Sequence, residues 1–536
     1  MQTFLELLPV LLLLLICGLF AVASLIALIV IFCTKNDVRT IAVNCLLGFA
    51  TVPIVTLVCI PLVSHLQEGR DSIIKAGIES STMSLNLAAI TPYAEKRSPL
   101  LKAGVDFGYP LESEKTLLKE TQAFLKERTE HRPKRKSKWF AKYVSWCAEY
   151  ALVTQALGED DAACLIVKKA RAADSTGLID AVEVVTCQKD SVKQANDEEG
   201  NDNDNKNSKE EILATLDKLP KGWYRDTARL LASKHFADSS IAQSVESARN
   251  ARSVEVLPAL MAVLLLVLGV NVLGVVALFL GIFCRTKLLP NRENFHSKLP
   301  NFRQVYGIFL FTVYFQLLVM GIGWLITEKA MGTATAEKLS LAIGVGGLIA
   351  GYFTGLYFFL LRGLKTISAW ELLALDAKPS EYLRLVVTGV GTFGVLILFD
   401  TVWAFSSSAY IHNTTNNPVS AQLITWSTDP AFGTIAFSLI AVGLLAPIGE
   451  EVIFRALLFG WLRKRFSVLV SVLISGSIFA FFHADPGQLV QLTAAGCLFA
   501  FVYERTRSLI PTIVAHACMN STSVIITFLM GYAGRN

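Results

Sequence analysis

Charge is scarce in this chain. Of its 536 residues only 17% are Asp, Glu, Lys or Arg, where a soluble domain carries nearer a quarter. That shortfall excludes a water-soluble protein of ordinary composition. The alternating segments of about ten residues that build a membrane β-barrel are missing. No Cys-x-x-Cys or Cys-x-x-His spacing occurs, which removes the usual structural zinc modules. The phosphate-loop pattern is absent, and the chain shows no internal repeat. The net charge of +5 is small and spread over loops, which argues against nucleic acid as a partner. The first apolar run, 7–32, lacks a basic flank and is long for a signal peptide, so it reads as a retained span.

Long apolar runs are what the chain does have; 53% of it is hydrophobic. Candidate spans fall at 7–32, 40–64, 255–283, 304–327, 339–361, 385–409, 431–461, 467–483, 488–503 and 509–531, each near the ~20 residues that cross a bilayer as a helix. The expected fold is all-α, a polytopic bundle of about eight to ten transmembrane helices with an α-rich polar insertion. The expected domains are a hairpin at 1–64, the insertion at 65–254, leading helices at 255–383 and a core at 384–536. Membrane lipid is the first implied partner, and the plasma membrane the expected location. Basic residues such as Lys35, Arg39, Arg285, Arg463 and Arg505 mark alternate loops, whereas 410–430 has no Lys or Arg. The positive-inside rule then places both termini and the insertion outside the cytoplasm.

Within the insertion, Leu117, Leu118 and Phe124 recur at helical spacing. The basic aromatic stretch 134–146 reads as a solvated helix face, or less readily as a membrane-surface segment. Asp197–Glu211 is Asn-, Asp-, Glu- and Lys-rich and reads as a flexible linker. Seven of the ten cysteines lie in apolar runs; Cys147, Cys164 and Cys187 are in the polar region and allow at most one bridge.

The chemistry lies near the C-terminal end. An ionisable group in a span costs roughly 2.5–3.5 kcal/mol on insertion scales, so each needs a reason. Pro447 and Gly449 precede Glu450 and Glu451, which predicts a kinked or broken helix restarting at the carboxylates. Glu451 and Arg455 are four apart and can pair. Glu450 points about 100° away and lacks that partner; an unpaired buried carboxylate suits general-base work. His483 closes the next apolar run before Asp485 and Pro486. His516 and Asn520, again four apart, share one face of the last run and can serve an oxyanion or simple interhelical hydrogen bonding. Asp400 has no evident partner and reads as structural. Short loops make these runs neighbours, so their polar faces converge.

Glu450-Glu451-x-x-x-Arg455, Phe479-x-x-x-His483 and His516-x-x-x-Asn520 together resemble the CAAX prenyl protease and bacteriocin-processing (CPBP) family of intramembrane proteases, over about residues 385–531. The resemblance implies an intramembrane endopeptidase acting on a membrane-associated peptide or protein, prenylated (CAAX-type) or small and hydrophobic. It implies Glu450 as general base assisted by His483, His516 and Asn520 as oxyanion holders, and Glu451 and Arg455 as support. No cofactor is expected; the alternative is zinc on Glu450, His483 and His516, although the His-Glu-x-x-His zinc motif is lacking. The Gly-x-Ser-Gly and Gly-x-Gly-Asp motifs of other intramembrane proteases are also lacking. A competing reading is a non-proteolytic membrane scaffold or immunity protein that retains the fold. Transport is disfavoured by the missing repeat.

Overall fold

The computed structural model describes residues 70–98, 114–130, 140–187, 202–283, 379–407 and 432–535, apart from a few single positions, with isolated positions at 322–350 and 423–427. The expected spans at 7–32, 40–64, 304–327 and 339–361 lie outside the described residues. Every described element is a helix. In chain order these are α1 (Arg70–Glu95), α2 (Glu114–Glu130), α3 (Phe140–Ala156), α4 (Asp160–Ala170), α5 (Leu178–Thr186), α6 (Asp202–Leu216), α7 (Trp223–His235), α8 (Ser239–Phe283), α9 (Pro379–Ser407), α10 (Gly433–Arg463), α11 (Val468–Phe482), α12 (Leu489–Thr506) and α13 (Ile510–Arg535).

Four of these runs are long and apolar enough to cross a membrane: Ser239–Gly281, Glu381–Ala404, Gly433–Arg463 and Ile510–Gly534. The expected spans at 467–483 and 488–503 are the shorter helices α11 and α12, of fifteen and eighteen residues, apart from those four. α11 reaches about 22 Å at 1.5 Å per residue, against a ~30 Å hydrocarbon core, and α12 carries Glu504 and Arg505 in its last turn. These two pack closely. A Cβ on Gly496 would stand 2.8 Å from the Gly476 Cα, and one on Gly476 would stand 2.4 Å from the Cys497 Sγ. Small residues let the backbones meet.

The chain divides into two compact units: Met1–Asp71, Gly269–Val419 and Phe432–Val524 in one, and Ser72–Leu268, Ser420–Ala431 and Ile525–Asn536 in the other. In the first, Gly389-x-Gly391-x-x-Gly394 has the spacing of a dinucleotide turn but lies mid-helix in α9. Close packing accounts for its end positions: a Cβ on Gly389 would meet the Pro511 carbonyl at 2.6 Å, and one on Gly394 the Gly274 nitrogen at 2.7 Å.

The second unit is a helical domain with its own core. The recurrence seen in the sequence buries Leu117 and Leu118 of α2 in the same core as Leu152 and Val182, with Phe124 packed against that core. Trp146 also packs on this core, under the Arg128 guanidinium at 4.5 Å, so the aromatic end of the 134–146 stretch serves packing. Cys164 and Cys187 form the one bridge the three cysteines allow, and Cys147 is a buried free thiol. The expected linker 197–211 is corrected from residue 202 onward, where α6 begins. Leu216 is fully buried, with Ile212 and Leu213 packed beside it; these apolar anchors let the helix propagate back into the polar tract. Asp226 on α7 pairs with Arg249 (2.9 Å) and Arg252 of α8.

Candidate active site

The site is assembled from α10, α11, α12 and α13, all within 432–524. Its framework is an irregularity in α10. The backbone is α-helical over Phe432–Ile440, widens to π turns over Ala441–Leu445, returns to α over Ala446–Glu451 and widens again over Val452–Phe459. Of the kink or break expected at Pro447 and Gly449, the break does not occur; both residues lie inside a continuous helix with π turns on either side. Pro447 has no N–H to give the Gly443 carbonyl one turn earlier, and α13 supplies donors there. Ser521 Oγ donates to the Gly443 carbonyl at 3.5 Å, and Asn520 Nδ2 donates to the Val442 carbonyl at 3.0 Å. π turns of this kind concentrate at functional sites.

The helical turn between the two π segments points its adjacent glutamates differently. Glu451 is fully buried, with Oε2 3.1 Å from Arg455 Nε, and Arg455 is fully buried too. That N–H does not align for a hydrogen bond, so the pair is held by charge. Phe479 and Phe499 cover the guanidinium, with ring centroids 4.7 and 5.3 Å from Cζ, a cation–π arrangement that replaces part of the lost hydration. Glu451 Oε1 lies 3.0 Å from His516 Nδ1. The carboxylate can only accept, so Nδ1 carries the proton.

Glu450 keeps 18% side-chain exposure and His483 keeps 22%. Glu450 Oε2 is 3.8 Å from His483 Nε2 and 3.8 Å from His516 Nε2, and it has no hydrogen-bond partner among the described residues. His483 follows the last residue of α11, and its Nδ1 is 2.9 Å from the Phe479 carbonyl. That carbonyl accepts, so Nδ1 donates, and Nε2 is the nitrogen that faces Glu450. Glu450, His483 and His516 thus share one point, and Asn520 lies one turn along α13 from His516 with a second amide N–H uncommitted.

Five contacts go beyond what the motifs state. Glu451 reaches His516 as well as Arg455. Phe479 is tilted over His483 at 4.7 Å and edge-on to His516 at 5.6 Å. Phe499 stacks on His516 at 5.3 Å. Ser475 of α11 donates to the Phe454 carbonyl at 3.2 Å, within the second π segment. Asp400 is only partly buried, on α9. Among the described residues no three His, Cys, Asp or Glu side chains are placed to hold a metal ion.

Residues 432–522 match the model of the family described as Type II CAAX prenyl endopeptidase Rce1-like. The chain is similar to the protein called "Putative membrane peptidase YdiL" of Bacillus subtilis (strain 168), at 31% identity over 197 residues, which is 37% of this chain and 77% of that protein. No solved structure matches the chain.

Proposed function

This chain belongs to the CPBP family of membrane proteases, and we propose that it is an intramembrane endopeptidase working through a water activated by Glu450. The observation that carries this reading is the shared point: Glu450 Oε2, unbonded, 3.8 Å from the Nε2 atoms of two histidines. Two acceptors, the carboxylate and the lone pair of a neutral His483 Nε2, cannot hydrogen-bond each other. One water can donate to both.

In the proposed reaction that water attacks the scissile carbonyl carbon and its proton passes to Glu450. The oxyanion takes hydrogen bonds from Asn520 and from His516, whose Nε2 donates when the ring carries both protons, with Glu451 as counter-charge at Nδ1. Collapse breaks the C–N bond, and Glu450 returns the proton to the leaving amine. General-base help of this kind contributes about 10²–10⁴-fold, and each oxyanion donor about 10²–10³-fold. Glu451 and Arg455 position His516. As placed, Glu450, His483 and His516 do not form a metal-holding set, and the proposed reaction uses no zinc. The substrate is a membrane-associated chain, of the lipidated CAAX type or small and hydrophobic, cut by the core 384–536 in the plasma membrane.

The test is comparative membrane proteomics of the wild type against Glu450→Gln. Uncleaved precursor chains should accumulate in the variant while its amount and thermal unfolding stay native. Full processing by Glu450→Gln would sink the mechanism, and so would stoichiometric zinc that is lost in His483→Ala.

A further inference from the structure

The second unit contains a cavity of about 340 Å³, within the range of about 300–1,000 Å³ that holds small molecules. Ile78, Thr82 and Met83 of α1, Glu149 of α3, Tyr224 of α7 and the preceding Lys221 are among its walls. Glu149 is only 5% exposed. Its one hydrogen bond among the described residues comes from Ser145 Oγ to Oε1, at 2.8 Å. A carboxylate offers about four acceptor sites, so this buried group is underserved, and no cation pairs with it among the described residues. Burial accordingly pushes its carboxyl up to about 7. Tyr224 and Thr82 hydroxyls, 3.3 Å apart, share a single hydrogen bond and keep capacity for a further partner.

The frame around these groups is tied by hydrogen bonds. Asn86 accepts from the Trp223 backbone N–H at 2.7 Å and donates to the Gly534 carbonyl at 2.6 Å. Gly222, at φ +97°, has no room for a Cβ beside Asn86, which fixes the turn that carries Lys221. Lys221 itself is exposed. The cavity therefore has an acid inside and a base at its rim. A simple anion is repelled by Glu149, a simple cation meets Lys221, and a neutral molecule leaves Glu149 uncompensated.

We propose that this cavity binds a small zwitterion, with its ammonium on Glu149 and its acidic end at Lys221. Free amino acids and ethanolamine phosphate headgroups share that chemistry. The inference does not depend on the proteolytic reading.

The experiment is titration calorimetry on the full-length protein purified in detergent, with four probes: L-leucine, phosphoethanolamine, isoamylamine and isocaproate. At least one zwitterion should saturate at millimolar concentration or below, with the plain amine and plain acid at least tenfold weaker. The leucine and phosphoethanolamine arms separate an amino acid from a lipid headgroup as the source. Glu149→Gln should weaken the binding at least tenfold. Lys221→Ala, at an exposed position that leaves the core untouched, should weaken it severalfold. The proposal is overturned if neither zwitterion saturates, if isoamylamine binds as tightly, or if both variants bind like the wild type.

Discussion

Glu450 and Glu451 are chain neighbours with opposite surroundings. The 100° step between successive helical residues sends Glu451 against Arg455 and His516, out of water, and leaves Glu450 partly open beside His483. The two should respond differently to removal of charge. Glu451→Leu strands a fully buried guanidinium, which costs about 3–5 kcal/mol, whereas Glu450→Gln should change stability by much less. Chemical unfolding of both variants in detergent checks this; equal losses would mean that the two roles are misassigned. The split between them was readable from spacing, since i and i+4 face each other. The reach of Glu451 to His516 was not, because it depends on how α13 is laid against α10. Phe499 was silent for another reason: an aromatic ring in an apolar run looks like core until the ring beside it is known. Glu149 makes a separate case. Burial raises its carboxyl from 4.5 to about 7, so the folded state holds this proton more tightly than the unfolded chain does. The resulting stabilisation is complete below about pH 4.5 and is lost as pH rises to about 7. Each tenfold difference in proton affinity between the two states is worth about 1.4 kcal/mol. Glu149→Gln should therefore be near neutral at pH 4 and stabilising by about 3 kcal/mol at pH 8; thermal unfolding at both pH values checks the sign.

At the scale of the element, α10 is the informative piece. Pro447 and Gly449 announced an irregularity, expected as a kink or a break. The chain stays helical because α13 provides the missing donors: Ser521 and Asn520 reach the carbonyls of Gly443 and Val442. A proline signals that a hydrogen bond is absent, but only a neighbouring helix decides whether the gap is filled. The close approach needs Gly443, where a Cβ would stand 2.6 Å from Ser521 Oγ. Gly443→Leu should push α13 away from α10, part His516 from Glu451, lower cleavage at least tenfold and destabilise by about 1–3 kcal/mol. Partial recovery of cleavage in the Gly443→Ala, Ser521→Gly double variant, relative to Gly443→Ala, checks that the contact is the cause. The tract before Leu216 teaches the converse lesson. Its polar composition resembles a linker, yet the apolar residues that follow dock on the core and carry a helix back to Asp202.

For the whole molecule, the sidedness of the membrane runs can be tested. The positive loops place the C-terminal end outside the cytoplasm. A reporter fused after Asn536 should report the non-cytoplasmic side; a cytoplasmic signal would mean that the number of crossings is odd where it was taken as even. The Cys164–Cys187 bridge belongs to the same picture, because such bonds persist in oxidising compartments. The all-helical membrane class, the three polar motifs and their order were already determined by the sequence, since apolar run length and i, i+4 spacing are local properties. Tertiary structure decided which groups meet. Glu450, His483 and His516 lie on different helices, and the common point they share depends on interhelical packing, on glycine contacts and on carbonyls capped from across the bundle. The cavity around Glu149 is of the same kind. Nothing local distinguishes that glutamate from its neighbours until α1, α3 and α7 close around it and remove its water.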